Sequence, residues 1–162
     1  MPEITPLGWF HTVLGIIALV SGAVALVKHK EIALWDRSGQ VYLLATLVTA
    51  ATALAIFQHG GFGPAHMLAV LTLVALVVGT VASVTTVFGR ISRYVRAIAY
   101  SGTLLFHCIP AVTDASLRLP VGDPLATSIE DPIVQNAYRV LLLAFLIGIT
   151  VQLRWIHKQR QQ

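Results

Sequence analysis

The sequence predicts an all-α polytopic membrane protein, with a four-helix bundle as its core and a fifth transmembrane helix beside it. Charged residues make up only 11% of the 162-residue chain and hydrophobic residues 56%. A soluble domain carries about 25% charged residues, so this chain has too few to cover a water-facing surface. The hydrophobic residues also lie in unbroken runs of about twenty, the length that crosses a hydrocarbon core of ~30 Å.

The first three runs are predicted as helices from their length and from the residues that interrupt them. Helix one covers about 7–27 and is stopped by Lys28-His29-Lys30. Helix two covers about 41–57 and follows the turn Asp36-Arg37-Ser38-Gly39. Helix three covers about 65–88 and follows Pro64, because proline is favoured in the first turn of a helix.

The last two helices are separated by a long loop. Helix four is predicted at about 94–109, ended by Pro110, and helix five at about 137–155. The loop between them, residues 111–136, contains three prolines and mixed apolar residues, which favour either an ordered cap over the bundle or a plain tether. No internal repeat divides the chain, so residues 1–162 are interpreted as one domain.

The basic residues indicate how the helices are oriented. Nine of the eleven Lys and Arg residues lie in the turn between helices one and two, in the turn between helices three and four, or in the C-terminal tail. The opposite end has only Arg118 and Arg139, together with five of the seven acidic residues. The positive-inside rule therefore predicts an N-terminus outside and a C-terminus in the cytoplasm. In a bacterium this corresponds to the inner membrane, with the less basic end facing the periplasm.

Several functional classes are disfavoured. The one cysteine, Cys108, excludes an intramolecular disulfide and any multi-cysteine metal site. The basic residues are dispersed at helix ends, which indicates a lipid bilayer as partner and not a nucleic acid. No ionisable residue is expected near the bilayer centre, which argues against a proton-coupled carrier or a channel. Hydrolase motifs such as Gly-x-Ser-x-Gly are absent, and no catalytic residue can be assigned.

Four histidines are predicted to lie at one level near the outer end of the bundle. They are His11 on helix one, His59 and His66 on either side of a glycine-rich hinge, and His107 on helix four. Ionisable side chains at membrane depth are costly, usually face the bundle interior, and are candidates for a functional site. Neutral imidazole is also the commonest ligand for zinc, copper and iron. The alternative is that each histidine has a separate role at the membrane interface.

Two kinds of cofactor suit this layer. All four histidines are candidate ligands of one transition metal ion (Zn, Cu or Fe), while a b-type haem would use two of them. Gly15 and Gly22 on helix one would either admit a haem or allow close helix packing. Candidate hydrogen-bonding partners around the ligands are Asp114, Glu3 and Tyr100, because a ligating histidine donates its second N–H to a carboxylate, carbonyl or water.

These interpretations lead to three hypotheses for function. The first is a membrane metalloprotein for redox chemistry or metal handling at the periplasmic face, which would be a membrane oxidoreductase if it is an enzyme. The second is a single-haem b-type electron-transfer protein that exchanges electrons with quinol or a periplasmic redox partner. The third is a structural or assembly subunit without a cofactor.

Three stretches resemble a known family. They are His11 to Gly22, Asp36 to Tyr42, and the hinge with His66, and they are similar to uncharacterised bacterial multi-pass membrane proteins of the domain of unknown function 2306 type over about residues 8–110. That family's expected His-Arg-x-x-Gly-x-x-Tyr turn has Asp36 in place of its histidine here, and its second His-Arg pair is Ser92-Arg93. The resemblance implies a helical bundle and no particular activity.

Overall fold

The computed structural model describes residues 4–57 and 61–161, and over those residues it contains five α-helices. They are α1 (Pro6–His29), α2 (Arg37–Ala53), α3 (Pro64–Val84), α4 (Ser92–Arg118) and α5 (Pro132–Gln159), with a short 3-10 turn at Gly89–Ile91 before α4. The all-helical prediction is confirmed for this part of the chain.

Four of the helices are long and apolar enough to cross a membrane. They are α1, α3, the combined segment Gly89–Arg118, and α5. Helix α2 does not belong to this group, because its 17 residues span only about 26 Å and the predicted second span at 41–57 ends early, at Ala53. The prediction of five transmembrane helices is therefore supported for four.

The helices pack in the order of the chain. Helix α2 lies between α1 and α3, α3 packs on α4, and α4 closes the bundle against α1, while α5 packs mainly against α4. Small residues allow these close approaches: a Cβ on Gly22 would lie 2.7 Å from the Tyr42 ring, and one on Gly79 would lie 2.4 Å from the Tyr100 ring. Both tyrosines are fully buried, so large rings against glycines form the centre of the bundle.

The ends of the helices follow the local sequence. Thr5 caps α1 by accepting from the Gly8 N–H, and Asp36 caps α2 by accepting from the Gly39 N–H. Asp131 caps α5 in the same way, through the Ile133 N–H. These short polar side chains satisfy N–H groups that have no partner within the helix.

Helix α4 corrects the prediction that Pro110 ends helix four. The helix continues through Pro110 to Arg118, and α5 begins at Pro132 and not near 137. Pro110 removes the backbone hydrogen bond to the Phe106 carbonyl, a loss that helices within a bundle tolerate. In the next turn the Thr113 hydroxyl bonds the Ile109 carbonyl at 2.7 Å and lies 2.7 Å from the Tyr138 hydroxyl of α5. The connection between α4 and α5 is consequently shorter than the predicted loop at 111–136.

A buried ion-pair cluster joins the helices at the end of the bundle that carries most Lys and Arg, called here the basic end. Glu31 accepts hydrogen bonds from Arg93 at 2.8 Å and from Arg96 at 2.7 Å. Glu31 and Arg96 are each only 7% exposed, and the Arg96 guanidinium lies 4.2 Å from the centre of the Trp35 ring. The cluster ties the turn between α1 and α2 to α4.

Candidate functional site

Two of the four predicted histidines, His11 and His107, contact α2 at different depths. His11 lies in the second turn of α1, near the end of the bundle opposite the basic end. His107 lies near the middle of α4 and not about a turn from its end, because the helix continues beyond Pro110 to Arg118. The His11 Nδ1 atom is 3.1 Å from the Thr52 hydroxyl oxygen, and the His107 Nε2 atom is 3.0 Å from the Thr46 hydroxyl oxygen. Both imidazoles are half-buried. Helix α2 therefore holds one ring nitrogen of each histidine through a threonine.

The neighbours of Thr52 determine which nitrogen of His11 carries the proton. The Thr52 hydroxyl donates to the backbone carbonyls of Val48 and Thr49, both at 2.9 Å. A hydroxyl has one proton, so the oxygen can only accept from His11. His11 Nδ1 is then the protonated nitrogen, and its Nε2 atom keeps a lone pair.

A hydroxyl of α2 also lies against His107. The Thr46 oxygen atom is 3.0 Å from the His107 Nε2 atom, and either atom can be the donor. In the tautomer in which Nε2 donates to Thr46, the His107 Nδ1 atom keeps a lone pair. Next to this pair, the Tyr42 hydroxyl lies 2.6 Å from the Thr103 hydroxyl and 3.3 Å from the Tyr100 carbonyl.

The two imidazoles belong to one electrostatic environment. His11 and His107 interact electrostatically with each other, and His11 also interacts with Asp114. Asp114 lies on α4 seven residues after His107, and its side chain is 67% exposed and 3.7 Å from the Arg118 Nε atom. Asp114 is therefore a solvent-accessible carboxylate about two turns further along α4 than His107.

His66 lies in a different setting. Its Nδ1 atom accepts the Gly63 N–H at 3.2 Å, which caps α3, and its ring packs against Phe57 and Phe62 with ring centres 4.6 and 5.1 Å away. The residue is 5% exposed. The Nε2 atom of His66 is buried and has no hydrogen-bond partner among the described residues. Because Nδ1 is already engaged by the cap, the arrangement neither supports nor tests His66 as a ligand, and that role stays a prediction.

The remaining predicted site residues are placed as follows. His59 and Glu3 lie outside the described residues. The Tyr100 hydroxyl bonds the Thr80 hydroxyl at 3.1 Å and is part of the packing described above, not a partner of a histidine. Within residues 4–57 and 61–161, no group of three or more His, Cys, Asp or Glu side chains is arranged to hold a metal ion.

The glycines on α1 support close packing. Gly22 faces the Tyr42 ring, and a Cβ on Gly15 would lie 4.0 Å from the Thr49 methyl group. At Gly22, the face of α1 that was considered as a haem-binding surface is thus covered by the Tyr42 side chain of α2.

Sequence reasoning missed the role of two threonines. Thr46, Thr49 and Thr52 recur every three residues along α2, a spacing that places them near one face of a helix. That stripe was interpreted only as hydroxyls that bond their own backbone or join helices. Combined with two histidines on the helices that pack against α2, it could have indicated imidazole–hydroxyl pairs.

Comparisons with known proteins give no assignment: no protein-family model, curated protein or solved structure matches the chain. The resemblance over residues 8–110 therefore stays a prediction.

Proposed function

We propose that the chain is a membrane metalloprotein in which His11 and His107 bind one transition metal ion (Zn, Cu or Fe), for redox chemistry or metal handling. This proposal keeps the predicted chemistry but reduces the ligand set from four histidines to two. His59 remains a predicted ligand from the sequence alone.

The observation that carries the proposal is the pairing of each imidazole with a threonine of α2. Histidines that bind metals almost always donate their second N–H to an oxygen atom, which fixes the ring and its tautomer. Thr52 and Thr46 supply such oxygens at 3.1 and 3.0 Å. In the tautomers in which each ring donates to its threonine, the other nitrogen keeps the lone pair that a metal requires. Asp114 adds negative charge near His11, which favours a cation.

The coordination that we propose is open. A structural zinc site has four protein ligands, whereas catalytic and exchangeable sites leave a position for water or substrate. Two histidines would hold an ion less tightly than a closed site and leave it accessible to an incoming group. Such a site suits transfer of a metal or reaction at the metal better than a purely structural role.

We also propose that the chain lies in a bacterial inner membrane with this site facing the periplasm. The support is the uneven distribution of Lys and Arg, nine of which lie at the end remote from His11 and His107. Quinol or a periplasmic redox partner would then approach from the side of Asp114.

Metal analysis of purified protein tests the proposal. We expect about one bound zinc, copper or iron ion per chain after metal loading and desalting, and loss of that ion in the double variant His11→Ala/His107→Ala. The double variant His29→Ala/His157→Ala is the matched control, because these histidines lie at the basic end.

Two results contradict the proposal. One is full metal retention in the His11→Ala/His107→Ala variant. The other is a purified protein that lacks stoichiometric metal but shows the Soret absorption of haem, which would favour the electron-transfer hypothesis. A colourless, metal-free protein that cannot be loaded would favour the assembly subunit.

A further inference from the structure

An apolar groove runs along the outside of the bundle where α5 stands away from α1. Its volume is about 480 Å³, within the range of ~300–1,000 Å³ that is usual for small-molecule sites. Its walls are mostly aliphatic and aromatic, and they include Leu26 of α1, Leu105 of α4, and Phe145, Ile149 and Trp155 of α5. The groove lies within the segments that could cross a membrane, so lipid is its natural source of ligands.

The two buried polar side chains of the groove bond each other and the backbone. The Ser101 hydroxyl donates to the Gln152 Oε1 atom at 2.8 Å, and the Gln152 amide donates to the Lys30 carbonyl at 2.7 Å. Both residues are less than 9% exposed. The middle of the groove therefore fits a hydrocarbon chain better than a polar ring such as a quinone head, whose carbonyls need donors of their own.

The length of the groove also fits a lipid chain. On α5 the lining residues extend from Leu141 to Trp155, a rise of about 21 Å. One leaflet is about half of the ~30 Å hydrocarbon core, so the groove is long enough for one acyl chain.

The end of the groove carries positive charge. Lys30 lines it there, and the exposed ammonium donates one hydrogen bond to the Val27 carbonyl at 3.1 Å, which leaves two N–H groups for a ligand. Arg93 lies 5.0 Å from the Trp155 ring of the groove wall. Glu31 offsets only part of the charge of Lys30, Arg93 and Arg96.

We propose that this groove binds an anionic glycerophospholipid of the surrounding bilayer, with one acyl chain between α1 and α5 and the phosphate at Lys30. Basic pockets between transmembrane helices are typical binding places for anionic headgroups. The site is separate from the histidine pair, so it does not depend on the proposed metal.

The test measures which lipids stay bound to the full chain. The purified protein is incubated with equal amounts of phosphatidylglycerol and phosphatidylcholine, and the bound lipids are counted by native mass spectrometry. We expect one tightly bound phosphatidylglycerol per chain, in preference to phosphatidylcholine. Retention of both lipids in equal amounts, or of a quinone in their place, overturns the proposal.

Filling the groove tests the place of the acyl chain. A Cβ at Gly148 meets no atom within 4 Å, so we expect Gly148→Leu to extend into the groove that Gly148 lines and to lower lipid retention by about tenfold or more. Gly102→Leu is the matched control, since a Cβ there also meets nothing and Gly102 does not line the groove. Equal retention in the two variants overturns the proposal.

Changing the charge tests the headgroup independently of packing. Lys30 has a φ of 62°, which asparagine also tolerates. We expect Lys30→Asn to lower the preference for phosphatidylglycerol over phosphatidylcholine about fivefold, while Lys28→Asn, an exposed neighbour outside the groove, changes it little. An unchanged preference in Lys30→Asn overturns the placement of the phosphate.

Discussion

At the scale of single residues, the chemistry of the candidate site depends on where a few hydroxyl protons go. Thr52 uses its proton on its own helix, so its oxygen accepts from the His11 Nδ1 atom. We propose that Thr46 likewise accepts from the His107 Nε2 atom. The two histidines then have opposite tautomers, and each keeps a lone pair on the nitrogen away from its threonine.

Removing those threonine oxygens should weaken metal binding without removing a ligand. We expect Thr46→Val and Thr52→Val each to lower metal affinity about 10- to 100-fold, as changes around metal-bound histidines generally do. Competition with a metal-binding dye measures the affinity.

Thr72→Val serves as the control for that experiment. Thr72 is also buried, and its hydroxyl bonds only its own helix, at the Leu68 carbonyl. If Thr72→Val weakens metal binding as much as the α2 variants do, the threonines act through general packing and the tautomer argument is wrong.

The sequence singles out four histidines as a group but does not rank His11 and His107 above His66, and the role of each as a ligand stays a prediction. Ranking the histidines as ligands requires knowing which ring nitrogen of each one forms a hydrogen bond. For His11 and His107 the partners are Thr52 and Thr46, which are far away in the sequence. In the sequence His66 looks like the other histidines, although its Nδ1 atom accepts a hydrogen bond from the nearby backbone N–H of Gly63.

At the scale of helices, the connections show where local patterns are reliable. Asp36 was predicted to lie in the turn before helix two, and Pro64 directly before helix three. Asp36 is the N-cap of α2, which begins at Arg37 and not at 41, and Pro64 is the first residue of α3. Pro110 was expected to end a helix, but α4 continues to Arg118, and the Thr113 hydroxyl of the next turn bonds Tyr138 of α5. A stop signal can be overridden by contacts that only the folded bundle provides.

The basic end illustrates the same limit. Its arginines were predicted to orient the chain, yet Arg96 is buried against Glu31 and Trp35. Burial alone would raise the pKa of the Glu31 carboxyl, but hydrogen bonds and charge from Arg93 and Arg96 outweigh it and lower that pKa below its usual 4.5. The Glu31 cluster is thus expected to stabilise the folded chain.

Acid should remove that stabilisation. Because the folded pKa of Glu31 is depressed, its contribution is complete above about pH 4.5 and is lost as the pH falls through the folded value. We expect Glu31→Gln to lower stability at neutral pH by about 3 kcal/mol, since it leaves Arg96 buried without a counter-charge. When the pH is lowered, the thermal midpoint of Glu31→Gln should fall by less than the thermal midpoint of the unchanged protein.

Thermal unfolding in detergent between about pH 7 and pH 3 measures both effects. Glu130→Gln is the control, because Glu130 is exposed in the connection before α5. A Glu31→Gln protein that is as stable at neutral pH as Glu130→Gln would contradict a stabilising role for the cluster.

At the scale of the whole molecule, composition predicted the class of fold because the balance of apolar and charged residues is a property of the entire chain. The bundle of α1 to α4 with α5 at its side agrees with that prediction. Helix α2 has the 17 residues that the sequence predicted for helix two, but it covers Arg37–Ala53 and not 41–57. Its start is set by the Asp36 cap and its end lies before the end of the apolar run at Phe57, so hydropathy alone does not give its bounds.

The proposed orientation predicts which loops are accessible from outside the cell. Val121 and Val87 are 90% and 76% exposed and lie at opposite ends of the bundle. In a Cys108→Ser background, we expect Val121→Cys to react with a membrane-impermeant maleimide in intact cells. Val87→Cys should react only after permeabilisation. The reverse pattern would mean that the candidate site faces the cytoplasm.

The most direct test of the central proposal is X-ray absorption spectroscopy of the zinc-loaded protein. We predict a first shell with nitrogen at ~2.0–2.1 Å and the outer-shell scattering of about two imidazoles, which disappears in His11→Ala/His107→Ala. A zinc spectrum without imidazole scattering, or one that the double variant leaves unchanged, would contradict the assignment of His11 and His107 as the ligands.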